Sequence, residues 1–224
     1  MTPLHKSESL DDPSNFRGIT VSSCLGKLFS KLLQSRLESK CEREQLIDSS
    51  QGSGKKGSRT SDHLVVIRFL IDKYVTAGGK KLFAAFFDIR RAFDTIPRNL
   101  LFYTLLKDYQ IGGNYLRIIK EMYNTNQIFI KLSDGLCQPF ITSLGLLQGE
   151  TLSPLLFNIF TNNRSSIFDK SCDPVQIGDT DHSCLQWADD LFCVSQSAAG
   201  LQNIINKVSL FYSSLGLQLN TKKN

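Results

Sequence analysis

Carboxylates are the residues of this chain best suited to chemistry. Asp189 and Asp190 are adjacent in Trp187-Ala188-Asp189-Asp190, between the apolar runs Cys184-Leu185 and Leu191-Phe192-Cys193-Val194. Short apolar runs rich in aromatic and β-branched residues read as strands, and an Asp-Asp pair between them reads as the tip of a tight hairpin. Two like charges side by side repel by roughly 1 kcal/mol even when solvated, which asks for a compensating cation unless the turn is simply exposed. Asp is also a common turn residue, so the doublet alone leaves both readings open. A third carboxylate, Asp88, lies near the end of the hydrophobic run Lys81-Leu82-Phe83-Ala84-Ala85-Phe86-Phe87-Asp88-Ile89, long enough for a buried strand. Neighbouring strands of one sheet, roughly 5 Å apart, bring Asp88 against Asp189 and form a site for divalent cations with oxygen ligands. Such a cluster suits two-metal phosphoryl or nucleotidyl transfer, in which ions roughly 4 Å apart stabilise the attacking and leaving oxygens. Hard oxygen ligands favour magnesium over zinc.

The segments around these carboxylates add specificity. Asp88-Ile89-Arg90-Arg91-Ala92-Phe93-Asp94-Thr95-Ile96-Pro97 resembles motif A of reverse transcriptases, and the block from Gly145 to Asn158, with Gln148-Gly149 and Ser153-Pro154, resembles motif B. Trp187-Ala188-Asp189-Asp190 resembles motif C, and Gly216-Leu217-Gln218-Leu219-Asn220-Thr221-Lys222-Lys223 resembles motif D. Upstream, Asp11 to Thr20 followed by Ser22 to Phe29 is similar to the opening finger motif of LINE-type (non-LTR) retrotransposon reverse transcriptases, and Gln51 to His63 is similar to the next one. The resemblance runs from about Pro3 to Lys223.

It implies an α+β fold with the fingers and palm of a polymerase right hand, an antiparallel palm sheet backed by helices, and no thumb, because the chain stops at Asn224. A tail over 1–12 precedes a reverse transcriptase domain over 13–223, with fingers about 13–80 and 97–140 and palm about 81–96 and 141–223. The implied function is RNA-directed DNA polymerase, with two-metal nucleotidyl transfer to a primer 3′-hydroxyl. Two Mg2+ ions, with Mn2+ as a substitute, are held by Asp88, Asp189, Asp190 and the backbone carbonyl of Ile89. Arg17 and Lys27 hold the triphosphate, as cations suit phosphoryl transfer. Phe93 stacks under the sugar and excludes a ribose 2′-hydroxyl, Gln148 and Gly149 line the nucleotide and template pocket, and Lys223 protonates the departing pyrophosphate. Asp94 is read as the cap of the helix entered at Pro97. The implied partners are an RNA template, a DNA primer and deoxynucleoside triphosphates. Departures from the family pattern are Trp187 where tyrosine is usual, Ser53-Gly54-Lys55 in place of Gly-Phe-Arg, and Thr161-Asn162-Asn163 where Ile-Asn-Asp is common. With the missing thumb, they leave as the alternative an inactive truncated remnant that retains the fold and at most binds nucleic acid.

Composition is compatible with this. The 224 residues can bury a real core, and the net charge of +5 suits a polyanionic partner. Lys55, Lys56 and Arg59, and Arg90 with Arg91, are clusters able to meet backbone phosphates. The six cysteines are scattered without the spacing of a zinc site and read as reduced thiols; His5, His63 and His182 read as surface or turn residues. No leader and no apolar stretch of roughly 20 residues is evident, so the expectation is an intracellular protein of cytoplasm or nucleus, without membrane contact.

The elements that must position these residues follow from periodicity. Gly26 to Arg36 reads as a helix burying Leu28, Phe29, Leu32 and Leu33, with Lys27, Lys31 and Arg36 off that face. Gln51 to Ser61 reads as a loop, and Asp62 to Val75 as a helix stopped by Gly78-Gly79. After the Asp88 strand, a helix with Pro97 in its first turn buries Leu100, Leu101, Leu105 and Leu106, and a second follows from about Asn114 to Tyr123. Ser133-Asp134-Gly135 signals a hairpin between Ile128-Phe129-Ile130 and Phe140-Ile141. Ser153 is the expected N-cap of a helix with Pro154 at its first position. Ser165 to Ser183 reads as a loop, Ala198 to Ser214 as a helix ended by Gly216, and Leu217-Gln218-Leu219 as a short strand.

Overall fold

The computed structural model describes residues 1–6, 9–53, 57–132 and 135–220. In chain order it has strands β1 (Thr2–His5) and β2 (Phe16–Ile19), helices α1 (Cys24–Arg43) and α2 (Thr60–Leu70), strand β3 (Phe83–Asp88), and helices α3 (Arg98–Lys107) and α4 (Gly113–Asn124). Strands β4 (Lys131–Leu132) and β5 (Gly135–Leu136) precede helix α5 (Ser153–Phe160). Strands β6 (Val175–Ile177), β7 (Thr180–His182), β8 (Cys184–Trp187) and β9 (Asp190–Ser195) and helix α6 (Ala198–Ser214) complete it. Two compact units emerge, Met1–Glu44 with Phe93–Leu156, and Gln45–Ala92 with Phe157–Asn224.

In the second unit β3, β9 and β8 form a three-stranded antiparallel sheet in that order. β3 pairs with β9 from Phe83↔Ser195 to Asp88↔Asp190, and β8 pairs with β9 from Cys184↔Cys193 to Trp187↔Asp190. Because side chains alternate across a strand, Phe86, Asp88, Asp190, Phe192 and Val194 share one face. Leu185, Phe192 and Val194 there cluster with Leu70 and Tyr74, from α2 and the π turn Ile71–Thr76 that continues it. Phe86 on this face stays 74% exposed, its ring 4.9 Å from that of Phe192. Helix α6 packs against β3 and β9 and buries Gly200, Ile204, Val208 and Tyr212. Gly200 lies where an added Cβ would come 2.4 Å from Ser195 Oγ and 2.6 Å from the Cys172 carbonyl oxygen, so the other face is closely covered.

The first unit pairs β1 with β2 and β4 with β5. Helix α1 is capped by Ser23, whose Oγ accepts from Gly26 N–H at 3.1 Å, and runs a full 20 residues. Its buried face is Ser30, Leu33, Leu37 and Cys41, whereas Leu28 and Leu32, expected inside, are 59% and 54% exposed; Phe29 is exposed too. The helix carries two apolar stripes, and polar anchors single out one. Ser30 Oγ donates to Glu150 Oε2 at 3.0 Å, and Tyr115 Oη donates to the Leu33 carbonyl at 2.7 Å. Lys27, Lys31 and Arg36 are exposed as expected.

Other expectations are met or corrected in detail. Helix α3 buries Leu101 and Leu105 but leaves Leu106 exposed, and it uses Pro97 as a cap residue in extended conformation. Ser153 is not a side-chain cap: its Oγ donates to the Leu147 carbonyl at 2.8 Å and meets Tyr123 Oη at 3.1 Å. The segment read as a loop over 165–183 contains the β6–β7 hairpin and two 3-10 turns, short elements whose apolar residues are too few to give a periodic signal. Ile128 bridges Phe140 as expected of the hairpin, while Ser133 and Asp134 of its turn lie outside the described residues. All six cysteines are free thiols, and among the described residues no helix is long and apolar enough to cross a membrane.

Candidate active site

The Asp doublet is the tip of a hairpin. Trp187 and Asp190 are the closing pair, so Ala188 and Asp189 form a two-residue turn and Asp190 opens β9. Ala188 has φ 54, a left-handed conformation that costs a non-glycine residue roughly 1–2 kcal/mol. The turn is held from both sides. The Ala188 carbonyl accepts from Gln186 Nε2 at 2.5 Å, and its N–H donates to Gln51 Oε1 at 3.4 Å.

Register puts Asp88 opposite Asp190, with Asp189 one residue further along in the turn, where sequence pattern had set Asp88 against Asp189. Asn220 N–H donates to the Asp88 carbonyl and Arg90 N–H to the Gln218 carbonyl, both at 2.8 Å, as Ile89 bridges Leu219. These bonds turn the backbone groups of Asp88 away from β9, so Asp88 and Asp190 are a non-hydrogen-bonded pair, whose Cα atoms typically lie about 4.5 Å apart with side chains on one face. Ile89, between the two bonds, directs its own carbonyl to the opposite edge, the one on which β9 lies. Asn220 Nδ2 also donates to Asp88 Oδ2 at 3.1 Å and fixes the rotation of that carboxylate.

This donor set fits a hard divalent cation. Like charges directly opposite in a sheet are destabilising, and a cation relieves that. Among the described residues no group of three His, Cys, Asp or Glu side chains is gathered into a metal cage. Magnesium is ordinarily held by one or two carboxylates together with substrate phosphates and water, so two facing carboxylates and a carbonyl are an adequate protein share.

Trp187 sits edge-on to His63, with ring centroids 5.6 Å apart. Gly52 makes room for both: an added Cβ would come 2.7 Å from His63 Nε2 and 2.9 Å from Trp187 Cε3. The family departure at Trp187 is thus accommodated by His63 and Gly52, from the segment that resembles the second finger motif. Arg90 and Arg91, just past Asp88, are exposed.

Apart from Lys223, the other site residues expected from the sequence lie in the first unit. Gly145 and Gly149 bound a loop and have φ 83 and φ 100. A Cβ at Gly145 would come 2.6 Å from the Asp94 carbonyl oxygen, and one at Gly149 would come 2.7 Å from the Thr20 carbonyl oxygen, so neither position admits a side chain. Gln148 is fixed at both ends: its Nε2 donates to Asp94 Oδ1 at 2.9 Å and its carbonyl accepts from Thr20 N–H at 2.6 Å. Asp94 therefore orients Gln148, and the N-cap position of α3 is taken by Pro97. Phe93 is half-buried and its carbonyl accepts from Leu146 N–H at 2.6 Å, tying motif A to motif B within this unit. Arg17 on β2 and Lys27 in the first turn of α1 are both exposed. Lys223, Lys55 and Lys56 lie outside the described residues.

Arg98, which no motif drew attention to, holds this loop in place. It is 4% exposed; Nε donates to the Gly145 carbonyl at 2.8 Å and Nη1 to the Tyr123 carbonyl at 2.9 Å. It also donates to the carbonyl and hydroxyl of Thr142, and its guanidinium lies 5.2 Å from the Tyr123 ring centroid. Burial lowers the Arg98 pKa and pushes the Tyr123 hydroxyl up to about 12, so Tyr123 remains a donor at any ordinary pH. Sequence pattern gave Gln51, Asn220 and Arg98 no role at a site, because each meets a partner remote along the chain, and it gave none to Gln186, whose side chain folds onto the Ala188 carbonyl two residues ahead.

Known proteins resemble this chain in sequence and in fold. The family model described as Reverse transcriptase (RNA-dependent DNA polymerase) matches residues 4–224. The chain is 26% identical over 235 residues to the Retrovirus-related Pol polyprotein from type-1 retrotransposable element R2 of Popillia japonica, covering 100% of this chain and 31% of that protein. It is 23% identical over 220 residues to the corresponding polyprotein of type-2 retrotransposable element R2DM of Drosophila melanogaster, covering 98% and 20%. With the probable RNA-directed DNA polymerase from transposon BS of Drosophila melanogaster it shares 23% over 231 residues, covering 98% and 24%. The chain thus spans less than a third of the length of these relatives. Among solved structures, telomerase from Candida tropicalis in complex with a TWJ fragment of telomeric RNA matches with a TM-score of 0.63 at 14% identity, over 89% of this chain and 33% of that one. The corresponding Candida albicans complex gives 0.61 at 15%, over 88% and 34%. At these identities the likeness speaks for the fold alone, and that fold is the α+β fingers and palm expected from the motifs.

Proposed function

Because this chain belongs to the reverse transcriptase (RNA-dependent DNA polymerase) family, we propose that it carries the chemical centre of a retrotransposon polymerase that adds a deoxynucleotide to a DNA primer 3′-hydroxyl on an RNA template. The reading rests on one observation above the others: Asp88 and Asp190 are register partners at the end of a sheet whose adjoining turn presents Asp189. In this reading Asp88, Asp189 and the Ile89 carbonyl hold two Mg2+ ions, with Asp190 in support. Bound there, the ions supply charge stabilisation to the attacking hydroxyl oxygen and to the pyrophosphate leaving group. Asn220, by donating to Asp88 Oδ2, is assigned to orienting that carboxylate. Arg17 and Lys27 are assigned to the triphosphate, Phe93 to the sugar, and Gln148 and Gly149 to the nucleotide and template. Lys223 is assigned to protonation of pyrophosphate.

Primer extension on an RNA template with magnesium tests the reading. The unaltered chain extends the primer and Asp189→Ala does not; equal extension by both overturns it. Salt-dependent binding of an RNA and DNA hybrid with extension by neither leaves nucleic-acid binding without catalysis as the activity.

A further inference from the structure

We propose that Gln51 and Gln186 are positioning residues that clamp the backbone of the Ala188–Asp189 turn and so set the Asp189 carboxylate for cation binding, an inference that rests on the metal-binding role given to Asp189 above. Both side chains are buried, Gln51 at 2% and Gln186 at 1% exposure, within the same compact unit as the turn. Glutamine is seldom buried without purpose. Gln51 Oε1 accepts from two backbone amides, Ser53 at 3.0 Å and Ala188 at 3.4 Å, which fixes the orientation of its amide. Its Nε2 is buried with no hydrogen-bond partner, so what this residue contributes is concentrated at the oxygen that meets the turn. Gln186 engages the next peptide group of the turn, donating Nε2 to the Ala188 carbonyl at 2.5 Å.

The two glutamines also hold each other. Gln51 bridges Gln186 in parallel, Gln186 N–H donates to the Ser50 carbonyl at 2.9 Å, and Gly52 N–H donates to the Gln186 carbonyl at 2.9 Å. The Ser50–Gly52 segment therefore adds to the outer edge of β8. That segment is in turn anchored by asparagines four residues apart. Asn158 Nδ2 donates to the Ser53 carbonyl at 2.7 Å, and Asn162 donates to the Leu46 carbonyl at 2.6 Å while accepting from Asp48 N–H at 2.8 Å. A turn with a left-handed alanine persists only where its surroundings over-determine it, and this network does so. Relaxation of the turn moves Asp189 relative to Asp88 without touching either carboxylate.

The test is Mn2+ titration followed by electron paramagnetic resonance, on the full chain and on Gln51→Met, Gln186→Met and Asp189→Asn. Outer-shell partners of metal ligands typically change affinity by roughly 10–100-fold, so each methionine variant is expected to weaken Mn2+ about tenfold. Combining either with Asp189→Asn adds no further loss, because the glutamines act through Asp189. If Asp189→Asn binds Mn2+ as tightly as the unaltered chain, the metal reading of Asp189 falls and the clamp with it. If Asp189→Asn weakens binding while the folded methionine variants do not, the clamp alone falls. Hydrogen exchange in the unaltered chain decides independently of whether a variant folds: the Ala188 amide is expected to be protected, and exchange as fast as a solvated loop amide overturns the proposal.

Discussion

Two of the loops that carry residues assigned to chemistry are fixed by opposite means. The Gly145–Gly149 loop takes its left-handed positions with glycine, and its backbone presses directly on Asp94 and Thr20 where no Cβ fits. The Ala188–Asp189 turn takes its left-handed position with alanine and is clamped by two buried glutamines, the neighbouring Gln186 and the remote Gln51. In the first loop the constraint is steric, and the glycines that meet it stand in the loop itself. In the second it is a hydrogen-bond network whose members are visible only once the chain is folded. A sterically fixed loop fails when atoms are added, whereas a clamped one fails when remote partners are removed.

Arg98 is the exception that sharpens the contrast, since it clamps the steric loop as well. Arg98→Met is expected to have the largest effect, about 3–5 kcal/mol, because it strands several buried carbonyls in the first unit. Urea unfolding measures it, and a loss under about 1 kcal/mol would mean the glycines fix the loop alone. Gly145→Ala is expected to cost about 3 kcal/mol, adding a Cβ against Asp94 backbone to the strain of φ 83. The same assay on Gly145→Ala detects whether Asp94 shifts to make room, which would show as a near-neutral midpoint.

At the turn the sign reverses. Ala188→Gly is expected to stabilise by up to about 1 kcal/mol by removing left-handed strain, a gain reduced by the added entropy of the unfolded chain. A destabilised Ala188→Gly would mean that the clamp, and not the residue, bears the strain. The smallest change is Asp190→Asn, which removes the like-charge pairing with Asp88 and is expected to add about 0.5 kcal/mol in metal-free buffer. That gain should shrink with added salt; a salt-independent gain would assign it to something other than charge.

Much of this architecture was legible beforehand, for reasons that differ by element. Helix α6 was read within its true bounds because its apolar spacing has a single solution, and the β8–β9 hairpin because apolar runs bracket a polar pair. The kinship with retrotransposon reverse transcriptases followed from ordered blocks along the whole chain, and the family match over residues 4–224 bears it out. Helix α1 shows the limit: its sequence offers two apolar stripes, and the buried one is chosen by Glu150 and Tyr115, far away along the chain. The role of Asp94 failed for the same reason, as a cap and a Gln148 partner look alike until Gln148 is brought near.

By itself the sequence determined the family, the bounds of helix α6 and the β8–β9 hairpin, because those depend on residue type, period and spacing along the chain. The tertiary structure alone decided that Asp88 faces Asp190, that Asn220 orients Asp88, and that Gln51 and Gln186 grip the turn bearing Asp189. Strand register and the hydrogen bonds of Gln51 and Asn220 join residues more than a hundred positions apart, and nothing local to either partner encodes that meeting.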